Sequence, residues 1–111
     1  MNADIVVAKR LLANGSSYSQ GCSEYVCAVL NIPFEEANRL MGNSPTLVGS
    51  NGLYQNVSPG DVVGWKSSSG SGHVAIFVGE AGMTFLDVRQ PGNKPRQLSS
   101  YGPQLVYKSS R

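Results

Sequence analysis

"DVVGWKSSSGSGHVAIFVGEAGMTFLDV", Asp61 to Val88, is the stretch on which the fold turns. Here the apolar residues gather into short runs rich in β-branched and aromatic side chains: Asp61–Trp65, His73–Gly79 and Met83–Val88. Composition of this kind, broken by Gly- and Ser-rich turns, predicts strands. Gln104–Lys108 supplies a fourth. The intervening "SSSGSG", Ser67 to Gly72, is of hairpin-loop length and too short to separate domains.

Upstream of this stretch the period is helical. Ile5, Val6, Leu11 and Leu12 mark a helix over Ala3–Ala13, stopped by Asn14-Gly15. After the polar connection "GSSYSQG", Tyr25, Val26, Val29 and Leu30 mark a second helix, with Gly21 as its cap and Glu24 at the capping-box position. Asn31 and Pro33 separate it from a third, which carries Glu35 and Glu36 in its first turn, Phe34, Ala37, Leu40 and Met41 inward, and Gly42 as its stop. Asn43–Gly60, rich in Asn, Ser, Gly and Pro, reads as an ordered loop with a short extended piece around Leu53–Val57. Helices followed by an antiparallel sheet make an α+β domain.

At 111 residues and 41% apolar content the chain holds one core, so residues 1–111 form a single domain. The formal charge of +2 is mild and its nine basic residues are scattered, which gives no reason to expect a nucleic-acid partner. No window approaches the roughly 20 apolar residues of a membrane span. Asp4, Lys9 and Arg10 interrupt the N-terminal apolar positions, unlike a signal peptide, so the chain reads as made in the cytoplasm. Two cysteines and one histidine make neither a disulfide framework nor a metal cluster, and no cofactor is implied. Cys22 and Cys27, five apart, would stand about 140° around a helix axis, which disfavours a bond between them.

Those residues do suit thiol chemistry. A thiol attacks a carbonyl as thiolate, which calls for a pKa-lowering environment and a nearby base. A helix N-terminus would provide the first for Cys22, and His73, opening a strand, the second. An antiparallel hairpin turning at Glu80–Gly82 would bring Asp87 near His73, where a carboxylate can hold the imidazole's tautomer. Cys22, His73 and Asp87 are thus a candidate triad. Cys27, mid-helix with no base implied, reads as a buried packing residue, Asp61 as the cap of the Ser58–Gly60 turn, and Trp65 as core or groove wall. Asp87 could instead be an exposed carboxylate paired with Arg89.

Three segments carry a resemblance. Gly21-Cys22-Ser23-Glu24-Tyr25-Val26, Gly60-Asp61-Val62-Val63-Gly64-Trp65 and Gly72-His73-Val74-Ala75-Ile76-Phe77 are similar, in order and spacing, to the motifs of NlpC-like cell-wall peptidases and the related CHAP amidohydrolases, the bacterial branch of the papain-like fold. The chain departs from their pattern at Gly21, where an Asp is usual, and at Glu24, where a Gly is usual. The third catalytic position varies in these families, and Gln90 and Asn93 are alternatives to Asp87.

The resemblance implies N-terminal helices packed on a small antiparallel sheet and hydrolysis of an amide bond in the peptide stems or cross-links of peptidoglycan. Cys22 would attack and His73 would move the protons. The Cys22 N–H would meet the oxyanion with a donor from Tyr18 or Gln20, Ser23 belonging to the same substrate and oxyanion set and Arg89 binding a carboxylate. The small size is similar to that of amidase effectors of the type VI secretion system, which are made in the cytoplasm, act in the periplasm of a target bacterium and are held in check by a cognate immunity protein. Phage lysins and housekeeping hydrolases share this profile. The rival expectations are a thiol deamidase or isopeptidase acting on a protein substrate, and a catalytically silent domain that binds wall peptides or a partner protein.

Overall fold

The change from helical to alternating periodicity divides the structure as it divides the sequence. A computed structural model of the chain, describing residues 1–70 and 72–111, places three helices first: α1 (Ile5–Asn14), α2 (Cys22–Leu30) and α3 (Ala37–Met41). Seven strands follow: β1 (Thr46–Ser50), β2 (Leu53–Tyr54), β3 (Val62–Trp65), β4 (His73–Glu80), β5 (Met83–Val88), β6 (Pro95–Leu98) and β7 (Val106–Lys108). They form one antiparallel sheet in the order β2-β1-β7-β3-β4-β5-β6. The domain is α+β, and no helix among the described residues is long and apolar enough to cross a membrane.

The helix ends follow local chemistry. Asp4 caps α1 by accepting from the Val6 and Val7 N–H groups, and Gly15, at φ 66°, stops it. Val6, expected inward, is 65% exposed, while Ala8 is fully buried against the sheet-side core. α3 begins later than the sequence suggests. The Glu35 N–H donates to the Cys27 sulfur at 3.4 Å and its carboxylate pairs with Arg111 at 2.7 Å, so residues 33–36 stay outside the helix and Phe34 faces solvent. Ala37, Leu40 and Met41 are buried as expected.

Two corrections concern the sheet. The segment read as loop contains β1 and β2, joined through Asn51-Gly52, whose φ values of 53° and 81° suit a two-residue hairpin turn. β6, opening on Pro95, was not expected. As an edge strand it loses no ladder bond to the proline nitrogen. The Ser67–Gly72 connection joins β3 to β4, and Ser71 lies outside the described residues.

Strand alternation feeds two cores. Val62, Val74, Ile76, Val78, Leu86 and Val88 pack with Tyr25, Val26, Leu40 and Met41 beneath the helices. Val48, Val63, Ala75, Phe77, Phe85 and Val106 form the other, on the opposite face. The sheet curls around this second core until its ends are stitched together. The Asn51 N–H donates to the Gly102 carbonyl at 2.7 Å, the Tyr101 N–H to Tyr54 Oη at 3.4 Å, and the Tyr54 ring meets Phe85 edge-on at 5.0 Å. The curl carries the β6–β7 connection, and Tyr101 on it, across the end of β4 where His73 lies.

Candidate active site

Gly21 sets the place of Cys22. Its φ of 73° and ψ of −144° belong to a region that side-chain-bearing residues avoid, and a Cβ there would lie 3.2 Å from the Pro91 nitrogen. The loop ahead of α2 is pinned to the turn after β5: the Tyr18 N–H donates to the Asn93 carbonyl at 3.0 Å, and the Gly92 N–H to the Tyr18 carbonyl at 2.8 Å. α2 therefore starts at Cys22, with no side chain capping its first turn. Glu24 turns away from the thiol and accepts from the Gln20 N–H at 2.9 Å and the Ser19 hydroxyl at 3.4 Å. The helix dipole is thus left to act on the sulfur.

The sheet delivers the other groups. His73 is in phase with Ala75 and Phe77, and Asp87 with Phe85, so both side chains project on the inner face of the curl. The β4–β5 register places Ile76 opposite Leu86, which sets Asp87 diagonal to His73. The ladder does not continue to Val74, whose N–H donates to the Cys22 sulfur instead. His73 Nε2 lies 2.8 Å from Asp87 Oδ2, and the ring lies close enough to the Cys22 thiol that each shifts the other's titration. With Nε2 turned to Asp87, Nδ1 is the nitrogen that serves the sulfur. Trp65, directly paired with His73 across β3 and β4, stacks on the imidazole at 4.8 Å.

Burial and charge oppose each other at all three groups. Burial pushes the Cys22 thiol up, but the hydrogen bond and positive charge of His73, the Val74 N–H and the Ser23 hydroxyl outweigh it, so the pKa lies below the ordinary thiol value. Burial would lower His73, yet Asp87 and Cys22 raise it to about 9. Burial would raise Asp87, and hydrogen bonds from His73, Arg96 and Tyr101 hold it below the usual carboxylate range. The arrangement favours a thiolate beside an imidazolium, with a buried carboxylate behind them.

The other expected residues divide. Ser23 is buried beside the sulfur, its hydroxyl 3.9 Å from Sγ. Tyr18 is buried, edge-on to Tyr25 at 5.5 Å, and burial followed by the charge of Glu24 raises its hydroxyl, which stays protonated. The Gln20 backbone N–H is taken by Glu24, leaving only its exposed side chain as a donor. Gln90 and Asn93 belong to the turn that pins the Tyr18 loop, and the partner of the imidazole is Asp87. Arg89 is exposed and is not the partner of Asp87, which is fully buried against Arg96. Cys22 and Cys27 are both free thiols, and Asp61 accepts from the Ser58 N–H at 2.8 Å at the turn before β3.

Arg96 and Tyr101 escaped the sequence reading. Arg96 Nε donates to Asp87 Oδ1 at 2.8 Å, Arg96 Nη2 approaches Oδ2 at 3.4 Å, and the Tyr101 hydroxyl donates to the same Oδ2. Only the strand register gives Arg96 away, since β6 places it directly opposite Asp87, and β6 itself was missed. Beyond Trp65 lies a cavity of about 360 Å³ lined by Pro45, Trp65, Lys66, Gln104, Leu105 and Tyr107. A larger one, about 750 Å³, sits around α3 with Arg39, Lys66 and Arg111 and includes none of the triad residues.

Among the described residues, no three His, Cys, Asp or Glu side chains gather as metal ligands would. No family model, curated protein or solved structure matches the chain.

Proposed function

We propose that the chain is a cysteine amidohydrolase of papain-like, NlpC/CHAP-like type that cleaves an amide bond in the peptide stem or cross-link of peptidoglycan. The observation that carries the proposal is the convergence of three groups: Cys22 at a helix start with no side-chain cap, His73 close enough to lower the thiol, and Asp87 bonded to His73 Nε2 at 2.8 Å. The motif resemblance over Ser17–Val88 supplies the substrate class.

The Cys22 thiolate attacks the amide carbon, and the Cys22 N–H receives the developing oxyanion. His73 then gives its Nδ1 proton to the leaving amine, which departs as the thioester forms. Neutral His73 next takes a proton from water, whose hydroxide attacks the thioester. Collapse frees the carboxylic acid and restores the thiolate. Asp87 stays ionised throughout and holds Nε2–H, so that Nδ1 keeps facing the sulfur. Trp65 covers one face of the imidazole, at 4.8 Å between ring centroids.

The biological setting that fits is a type VI amidase effector acting in a rival's periplasm, with a cognate immunity protein in the producer. Purified protein incubated with peptidoglycan sacculi is expected to release new muropeptides by mass spectrometry, and Cys22→Ala to release none. Binding to sacculi without release would replace the proposal with the silent wall-binding domain. Toxicity on expression in the bacterial cytosol, without export and without action on sacculi, would replace it with a protein-modifying thiol enzyme.

A further inference from the structure

We propose that Arg96 and Tyr101 are positioning residues that clamp the Asp87 carboxylate in the orientation from which it aims His73 at Cys22. The proposal deepens the hydrolase reading of the same site, but it concerns the thiol's reactivity and does not depend on the substrate.

Asp87 has no solvent exposure, and a buried carboxylate facing a single imidazole would have one oxygen without a partner. Instead each oxygen has an assigned donor. Oδ1 takes Arg96 Nε at 2.8 Å, which leaves Oδ2 for His73 Nε2 at 2.8 Å and for the Tyr101 hydroxyl. Rotation of the carboxylate would break the first bond to make any other. Both clamping groups are fixed by the fold. Arg96 faces Asp87 in the β5–β6 register, and its side chain keeps 37% exposure, so it reaches a buried anion while part of its own charge stays hydrated. The Tyr101 ring is wedged among Phe85 at 4.9 Å, Trp65 at 5.2 Å and His73 at 5.4 Å, which aims its hydroxyl at Oδ2.

The resulting row alternates in tendency: Arg96 is positive, Asp87 is held toward its anion, His73 toward its cation and the Cys22 thiol toward its anion. Withdrawing Arg96 removes a positive charge at one end and frees the carboxylate to turn. The turned carboxylate no longer holds the imidazolium, and through it the thiolate, and this outweighs the small repulsion between Arg96 and the imidazolium that is relieved. A cross-strand ion pair that merely fastened β6 to β5 would leave the thiol untouched.

Iodoacetamide alkylation of Cys22, followed by peptide mass mapping from about pH 4 to about pH 9.5, reads the thiolate directly. Arg96→Gln is expected to raise the midpoint of the rate by about one pH unit, a roughly tenfold slower alkylation on the acid side. Arg96→Lys, which keeps the charge and loses the fork, should fall between, and Tyr101→Phe should shift the midpoint in the same direction by less. Circular dichroism checks that each variant is folded. A wild-type pH profile in folded Arg96→Gln would overturn the proposal. If that variant does not fold, wild-type profiles in both Arg96→Lys and Tyr101→Phe would do so.

Discussion

Asp87→Asn tests the electrostatic core of the site, because it keeps the side chain's shape and removes only its charge. In the wild type the buried carboxylate accepts from His73 Nε2 and Arg96 Nε, each at 2.8 Å, and from the Tyr101 hydroxyl. An asparagine offers one acceptor oxygen. If that oxygen keeps Arg96, its NH₂ meets two donors, from His73 and Tyr101, and at least one buried donor loses its partner. Removing one member of a buried ion pair costs about 3–5 kcal/mol, and the 37% exposure of the Arg96 side chain lets water recover part of it. The expected loss is therefore about 3 kcal/mol near pH 5.5, or a fall of roughly 13 °C in Tm.

The loss should also depend on pH in a definite direction. His73 is raised from 6.5 to about 9 in the folded protein, so its ion pair with Asp87 contributes fully below pH 6.5 and is lost as the pH rises through about 9. That shift corresponds to at most roughly 3 kcal/mol, and Cys22 accounts for part of it. The stability gap between wild type and Asp87→Asn should consequently narrow by about 1–2 kcal/mol between pH 5.5 and pH 9.5. Urea unfolding of both proteins at the two pH values measures it. A gap that is absent, or unchanged across that range, would refute the picture of a charged His73–Asp87 pair.

Cys22, lowered by its neighbours in spite of burial, should react with iodoacetamide at pH 7 at least about tenfold faster than buried Cys27, by peptide mapping. Gly21→Ala places a Cβ 3.2 Å from the Pro91 nitrogen in a glycine-only conformation; it should cost about 1–3 kcal/mol in urea unfolding and slow Cys22 alkylation, because α2 must shift. Tyr25→Phe removes a buried hydroxyl that donates to the Ala8 carbonyl at 2.8 Å, and should cost about 1–2 kcal/mol while leaving the Cys22 alkylation profile unchanged.

What could be read from the chain was whatever a few neighbouring residues decide. The period around Tyr25 is set by a helix facing one core and the continuous apolar run around Ile76 by a strand buried between two, and α2, β3, β4 and β5 stand within a residue of their expected bounds. β1 and β2 have no such pattern, since a bulge at Val48, between Leu47 and Gly49, shifts the register and Leu47 and Leu53 face solvent. The signal present was Asn51-Gly52, a hairpin turn concealed within a Ser/Gly/Asn-rich stretch. β6 had none, because an edge strand reading Pro-Arg-Gln-Leu looks like loop until a neighbour pairs with it.

The site divides along the same line. Cys22 is announced by its helix start and His73 by its strand start, so each was visible locally, and Asp87 followed once a hairpin was assumed between β4 and β5. The alternative pairing of Asp87 with Arg89 shows where local reasoning ends. Arg89 is two residues from Asp87, an even offset that nominally puts both on one strand face, but β5 ends at Val88 and the chain turns outward. Arg96 reaches Asp87 only because the chain reverses and pairs as β6. Tyr101 is more remote still, brought to His73 by the curl that joins the two ends of the sheet. The placement of Cys22 and His73 is thus a product of local sequence, whereas the orientation of the carboxylate behind them depends on sheet closure. Loosening the Tyr54–Tyr101 stitch should therefore weaken the thiolate without touching any member of the triad.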